Sequence, residues 1–398
     1  TWDAAGHLVL PGLVNAHTHL GQVLVRNLGS DKPLLTWLDD VIWPAQLAMT
    51  SDDARIAATV GLVENLRSGV TTVVDHQKIT ATPAHSDAVA SAAESLGLRF
   101  VLARAWAERG RGAEDCGTML AELDRLCHQW HGAASGRLHV AFGPLAPWRC
   151  SEKSMRRGVK AAQNYGIGVH IHIAETQSEV RMTLEATGLR HVEWLDRVGA
   201  LGPDVQLVHS NWLSEAEMDR VAETGSIVVH CPVSNAYLGS GIAPIPELRR
   251  RGVPVALGTD GPGSNNSQDM FETMKMTALL QKATRLDASA ISAEAILRMA
   301  TSGGAMAAGW ADIGQIAVGF KADLILVSLN SARLTPLNHP ASALVYAGSP
   351  ADVRGAIVDG RVLMRDGQLL GIDEASALAE CRAAAKELLS RAGVSLAS

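Results

Sequence analysis

An alternation restricts this chain more than any other feature. Between residues 13 and 260, short apolar runs rich in β-branched side chains recur, and segments of helical period separate them. Eight runs stand out: Leu13–His19, Gly69–His76, Leu98–Trp106, Leu138–Pro144, Gly168–Glu175, Val205–Asn211, Ser226–Pro232 and Pro254–Asp260. Between them, Asp52–Ser68, Glu152–Tyr165 and Ser214–Glu223 each open with a capping residue or an acidic first turn. Gln268–Arg285 and Ser292–Trp310 extend the helical pattern past the eighth run. Repeated βα units predict an α/β fold, and eight of them predict a (β/α)8 TIM-like barrel with its site at the C-terminal ends of the strands. A doubly wound open sheet is the competing architecture. It would carry a Gly-rich phosphate turn after an early strand, and none is present.

After about residue 311 the pattern changes. Lys321–Val327, Val353–Asp359 and Arg361–Met364 read as short strands separated by Asp-Gly or Gly turns, and Asp373–Arg391 as a closing helix. No internal repeat or low-complexity tract appears.

Composition narrows the function. A net charge of −6 gives no electrostatic case for nucleic acid or an anionic membrane. No apolar run approaches the roughly 20 residues a membrane span needs. The five cysteines are odd in number and lack CxxC spacing, so neither a disulfide framework nor a thiolate zinc site is expected, and a reducing cytoplasm fits.

Imidazoles and carboxylates collect where a barrel would put its site. His17 and His19 are one residue apart, so in a strand both face the same way and can reach one ion. His172, His209 and Asp260 stand at the ends of the fifth, sixth and eighth runs. One His-x-His is weak evidence; five such residues at equivalent strand ends are not.

These residues lie in longer motifs. Pro11-Gly12-Leu13-Val14-Asn15-Ala16-His17-Thr18-His19, His172-Ile173-Ala174-Glu175-Thr176, Leu207-Val208-His209 and Gly258-Thr259-Asp260-Gly261 together resemble the strand-end motifs of the amidohydrolase superfamily. Gly314-Gln315-Ile316 and Gly319 to Leu324 resemble its return into a small β-sandwich. His230-Cys231-Pro232-Val233-Ser234-Asn235, Gly241-Ile242-Ala243-Pro244 and Ser264-Asn265-Asn266 are similar to the branch holding S-adenosylhomocysteine and methylthioadenosine deaminases and the atrazine chlorohydrolase-like triazine hydrolases. The resemblance implies a barrel over 12–310, a sandwich from 1–11 plus 311–372, and a C-terminal helix at 373–398. Members of the superfamily carry a longer segment before the His-x-His strand. The expectation is therefore a truncated N-terminus and an incomplete sandwich, with 324–327 and 353–358 short of partners. The resemblance also implies a homodimer or larger homo-oligomer.

The chemistry follows from the donor set. Three neutral imidazoles (His17, His19, His172) and one carboxylate (Asp260) suit one divalent transition metal, Zn²⁺ or alternatively Fe²⁺, with a position left for water. Such an ion brings the water's pKa toward about 7. Asp260 can take the water's proton, His209 can orient the nucleophile, and Glu175 can protonate a substrate ring nitrogen. Relatives with two metals bridge them by a lysine at the end of strand four. Here that strand ends Phe142-Gly143-Pro144, which points to a single ion.

The expected substrate is a small N-heterocycle. Trp37 is the candidate stacking residue, in a segment that resembles the triazine hydrolases' substrate loop. His76 either lines the pocket or makes a structural hydrogen bond, and Asn235 belongs to the candidate substrate site. His170 is expected one layer below His172. Nucleoside deaminases of this branch have a glutamate and a histidine where this chain has Gln46 and Leu145. Losing both contacts points to a substrate smaller or less polar than S-adenosylhomocysteine. Hydrolytic deamination of an aminated purine, pterin, pyrimidine or triazine is the leading reading. Hydrolysis of a C–Cl, N-alkylamine or cyclic amide bond on a related ring is the second. A non-catalytic binding barrel is the third.

Overall fold

The computed structural model of the protein describes residues 2–77 and 83–395; Thr1 and residues 396–398, which fall in the expected outer segments, lie outside them. Strand β1 (His7–Pro11) precedes the barrel. The barrel strands are β2 (Leu13–Thr18), β3 (Val70–Gln77), β4 (Arg99–Trp106), β5 (Leu138–Pro144), β6 (Val169–Ile173), β7 (Val205–His209), β8 (Ile227–His230) and β9 (Val255–Leu257). They lie parallel and in sequence order. Nearly every residue in them is buried, because helices cover one face and packed side chains fill the other. Their sequences consequently read as continuous apolar runs and not as alternating ones.

Side chains help close the ring. Asn15 on β2 accepts from Thr259 N (3.0 Å) and donates to Thr259 Oγ1 (2.8 Å), and Asp260 N donates to the His17 carbonyl (3.0 Å). Gly258 permits this approach, since a Cβ there would lie 2.8 Å from the His17 Cβ.

Several expected runs outlast the strands they predict. β6 stops at Ile173, β7 at His209 and β9 at Leu257. Ala174, His209, Ser210 and Asp260 then adopt left-handed backbone, with φ of 46°, 70°, 56° and 62°. Each costs roughly 1 kcal/mol or more for a residue with a Cβ, and such strain gathers at functional sites.

The remaining strands, β10 (Leu324–Ser328), β11 (Val353–Val358), β12 (Arg361–Arg365) and β13 (Gln368–Leu369), join β1 in one antiparallel sheet of order β1-β10-β11-β12-β13. The expectation that 324–327 and 353–358 lack partners is not met. β10 pairs with β1 on one side and β11 on the other, and β11 pairs with β12. Two Asp-Gly turns, Asp359-Gly360 and Asp366-Gly367, all four residues at positive φ, fold β12 back onto β11 and β13 onto β12. A buried ion pair joins this sheet to the barrel: Arg99 at the start of β4 meets Asp323 through Nη2 (3.1 Å) and Asp359 (3.2 Å).

The helix Ser51–Arg67 begins with a capping box between Thr50 and Asp53, and the C-terminal helix Glu374–Ala392 packs beside it, with Arg391 bonded to Asp53. Among the described residues, no helix is long and apolar enough to cross a membrane.

Candidate metal and catalytic centre

The centre starts from two residues on one face of β2. His17 is fully buried, and His19 follows at the mouth of the barrel. Each ring is held by one nitrogen. His19 Nδ1 lies 2.8 Å from the His76 carbonyl and His172 Nδ1 lies 2.8 Å from the Leu145 carbonyl, so both donate there and turn Nε2 inward. His17 Nδ1 is 2.8 Å from His170 Nε2, and the rings stack 5.1 Å apart. His170 thus sits under His17, in the deeper layer expected for it. Burial pushes His17 down to about 4, and lowers His19 and His172 as well, so all three rings are neutral near neutral pH.

The inward nitrogens fit a cation. His19 Nε2 and His172 Nε2 face each other at 3.3 Å with their protons committed elsewhere. His17 Nε2 is buried without a hydrogen-bond partner and lies 3.5 Å from Asp260 Oδ1, as does His19 Nε2. Lone pairs converging on one another and on a carboxylate repel unless a positive ion lies among them. The ligand atoms of His17, His19 and His172, and those of His17, His209 and Asp260, lie within 4.8 Å of one another. Burial opposes ionisation of Asp260, but the His17, His19 and His209 rings around it hold its carboxyl well below the usual range. Ser234 Oγ (2.5 Å) and Gly261 N (2.6 Å) donate to it.

Glu175 stands beside this cluster in a closed polar ring. Its Oε2 lies 3.4 Å from His209 Nε2. His209 Nδ1 donates to Asn235 Oδ1 (2.8 Å), Asn235 Nδ2 to Asn211 Oδ1 (2.8 Å), and Asn211 Nδ2 returns to the Glu175 carbonyl (2.9 Å). Ser240 Oγ donates to Glu175 Oε1 (3.0 Å). Burial, with the charges of Glu179 and Asp260, raises the Glu175 carboxyl well above its ordinary range. These surroundings disfavour the charged form of Glu175 relative to an ordinary glutamate.

Above the histidines opens a cleft of about 760 Å³, mouth included. Trp37, Gln46, His76 and Leu145 all line it, with Glu175, His209 and Asp260 at its floor. Trp37 is 2 % exposed. His76 does both things expected of it: Nε2 bonds to the Gly143 carbonyl (2.9 Å) while the ring lines the cleft. Asn235 is not among the lining residues and stands behind His209.

Ser234, Ser240, Asn211, Gln22 and Arg149 belong to the site but carried no sequence-level assignment. Ser234 lies inside the His230–Asn235 motif and Asn211 ends the sixth apolar run. The others reach the site only through the fold.

A family profile described as "Amidohydrolase family" matches residues 8–363. A 5'-deoxyadenosine deaminase of Methanothermobacter thermautotrophicus is 41% identical over 386 residues, covering 97% of this chain and 88% of that protein. Among solved structures, a zinc-bound adenosine deaminase from Xanthomonas campestris superimposes with a TM-score of 0.92 at 34% identity, over 97% of this chain and 87% of that one. Atrazine chlorohydrolase from Arthrobacter aurescens, complexed with zinc, follows at a TM-score of 0.90 and 26% identity, over 96% and 88%. Profile, relatives and the His/Asp cluster at the barrel mouth agree, and the chain belongs to the amidohydrolase family.

Proposed function

We propose that the protein is a metal-dependent aminohydrolase that deaminates an aminated N-heteroaromatic ring, with a 6-aminopurine nucleoside as the first substrate to test. The observation carrying this reading is the position of Glu175, buried beside His209 and the His/Asp cluster at the floor of the cleft, where burial raises its carboxyl above the ordinary range. The likeness to adenosine-type deaminases supports the choice of ring.

His17, His19, His172 and Asp260 would hold one divalent ion, zinc by likeness to the zinc-bound relatives. Such an ion makes hydroxide chemistry available near neutral pH. The chain's own groups do the rest. Asp260, steadied by Ser234, would take a proton of the attacking water at its carboxylate and pass it to the amino nitrogen, which leaves as ammonia when the C–N bond breaks. Glu175 donates its carboxyl proton to the ring nitrogen next to the carbon under attack, relieving the charge that builds there. His209, its Nδ1 tied to Asn235, presents Nε2 toward the reacting atoms with a fixed tautomer. Trp37 and the apolar wall stack on the ring and exclude water.

A second reading, hydrolysis of another leaving group on a related ring, is favoured by Gln46 and Leu145, which replace polar groups expected to grip a ribose. Ammonia release across aminopurines, adenosines, pterins and triazines tests both. Ammonia from a purine or nucleoside supports the first, whereas chloride or alkylamine release from triazines without any ammonia would replace it. The five free cysteines support a reducing compartment, the cytoplasm.

A further inference from the structure

Arg149 takes no part in this proton traffic, yet it is among the most deeply buried charges of the chain. It ends the turn Pro147–Arg149 after β5, is 2 % exposed, and lines the cleft. Its guanidinium carbon lies 5.2 Å from the ring centre of Trp43 and 5.3 Å from that of Trp148. Nε donates to the Arg109 carbonyl (2.6 Å) and Nη2 to the Arg111 carbonyl (2.7 Å). These bonds set the plane of the fork but use only two of its five donors.

Other buried guanidinium groups have carboxylates: Arg99 has Asp323 and Asp359, and Arg104 has Glu114. Among the described residues Arg149 has none, and burial pushes its pKa down with no carboxylate to offset it. Glu179 also lines the cleft, but its carboxylate is taken by Thr176 and by Trp148 Nε1 (3.2 Å). A buried cation with spare planar donors in the wall of a cleft is half of an ion pair. An entering anion would complete it bidentately.

We propose that Arg149, held between Trp43 and Trp148, is a subsite for an anionic oxygen-bearing substituent of the substrate, a carboxylate or a phosphate, on a part of the molecule away from the amino group that is hydrolysed. The proposal rests on the deaminase reading above. A purely structural role, holding the 109–111 loop, would explain the two carbonyl bonds but not the missing counter-ion.

The test measures ammonia release by metal-loaded wild type, R149Q and R149K from three 6-aminopurine nucleosides: neutral 5′-deoxyadenosine, adenosine-5′-carboxylate and adenosine 5′-monophosphate. One acid is expected to show a KM about 10- to 100-fold below the neutral nucleoside, as a charge-assisted bidentate contact provides, and which acid it is identifies the source. R149Q should erase most of that preference, and R149K, which keeps the charge but loses the fork, should erase part of it. A wild-type KM for 5′-deoxyadenosine equal to or below those of both acids overturns the proposal. So does an R149Q that weakens all three substrates by the same factor. Should R149Q fail to fold by circular dichroism, the wild-type comparison and R149K decide. Should no nucleoside release ammonia, the deaminase reading fails and Arg149 is judged apart from it, by tryptophan-fluorescence titration with inosine-5′-carboxylate against inosine. Tighter binding of the acid that R149K weakens supports the subsite, and equal binding overturns it.

Discussion

Each imidazole at the centre gives one nitrogen to the scaffold and keeps the other for chemistry. The scaffold partners differ: a carbonyl for His19, a carbonyl for His172, another histidine for His17 and an amide for His209. In the proposed reaction Glu175 is the proton donor, and burial with the neighbouring Glu179 and Asp260 raises its carboxyl. Glu175→Gln keeps the shape and the Ser240 hydrogen bond but cannot transfer a proton. It should lower kcat by about 10²- to 10⁴-fold while metal content, read by elemental analysis, stays the same. Undiminished turnover would remove Glu175 from the mechanism. That His17, His19, His172, Glu175, His209 and Asp260 would come together was legible in the sequence, because each lies at or just past a strand end in a recognisable spacing. Their hydrogen-bond partners were not, since His170 lies 153 residues from His17 and Asn235 lies 26 from His209.

Among the elements, the eight strands were legible and their ends were not. Apolar runs continue through Ala174, Ser210 and Asp260 although the backbone has already left the strand at positive φ. Hydrophobicity reports burial, and these residues are buried whether or not they pair. The closure of β9 on β2 depends on Asn15, which also takes part in hydrogen bonds with Asn65 (2.9 Å). Asn15→Ala would leave Thr259 N and Asn65 Oδ1 buried without these partners. A loss of about 2–4 kcal/mol in urea unfolding is expected, together with weaker metal retention, because Asp260 follows Thr259 directly. Unchanged unfolding would mean that backbone contacts alone close the ring.

Across the whole molecule, Arg99 and the His139–Trp310 stack are among the contacts that hold the barrel to its surroundings. Arg99→Ala would strand Asp323 in the interface between barrel and outer sheet, and denaturant unfolding should show a loss of about 3–5 kcal/mol. His139 stacks on Trp310 at 4.0 Å, near His131 and Arg99, and burial pushes its pKa from 6.5 down to about 4. The folded state thus resists a proton that the unfolded chain accepts. Stability is full above about pH 6.5 and falls as the pH drops toward 4. His139→Gln should flatten the melting temperature across that window, by an amount equivalent to about 1–2 kcal/mol after solvent screening. An unchanged slope would move the acid sensitivity to the other buried histidines, among them His230, which burial lowers to about 3, and His17, lowered to about 4.

The sequence by itself determined the strand-helix alternation, the His-x-His pair, the carboxylates at the strand ends and the membership these imply. Those are local properties, set by side-chain type and by spacings of two to four residues. Only the tertiary structure decided that His170 lies beneath His17, that Asn235 backs His209 and does not line the cleft, that β10 finds partners in β1 and β11, and that Arg149 stands in the cleft wall with no counter-ion among the described residues. Each of these depends on ring closure or on a turn carrying one element across another, which brings together residues whose spacing in the chain carries no signal of contact.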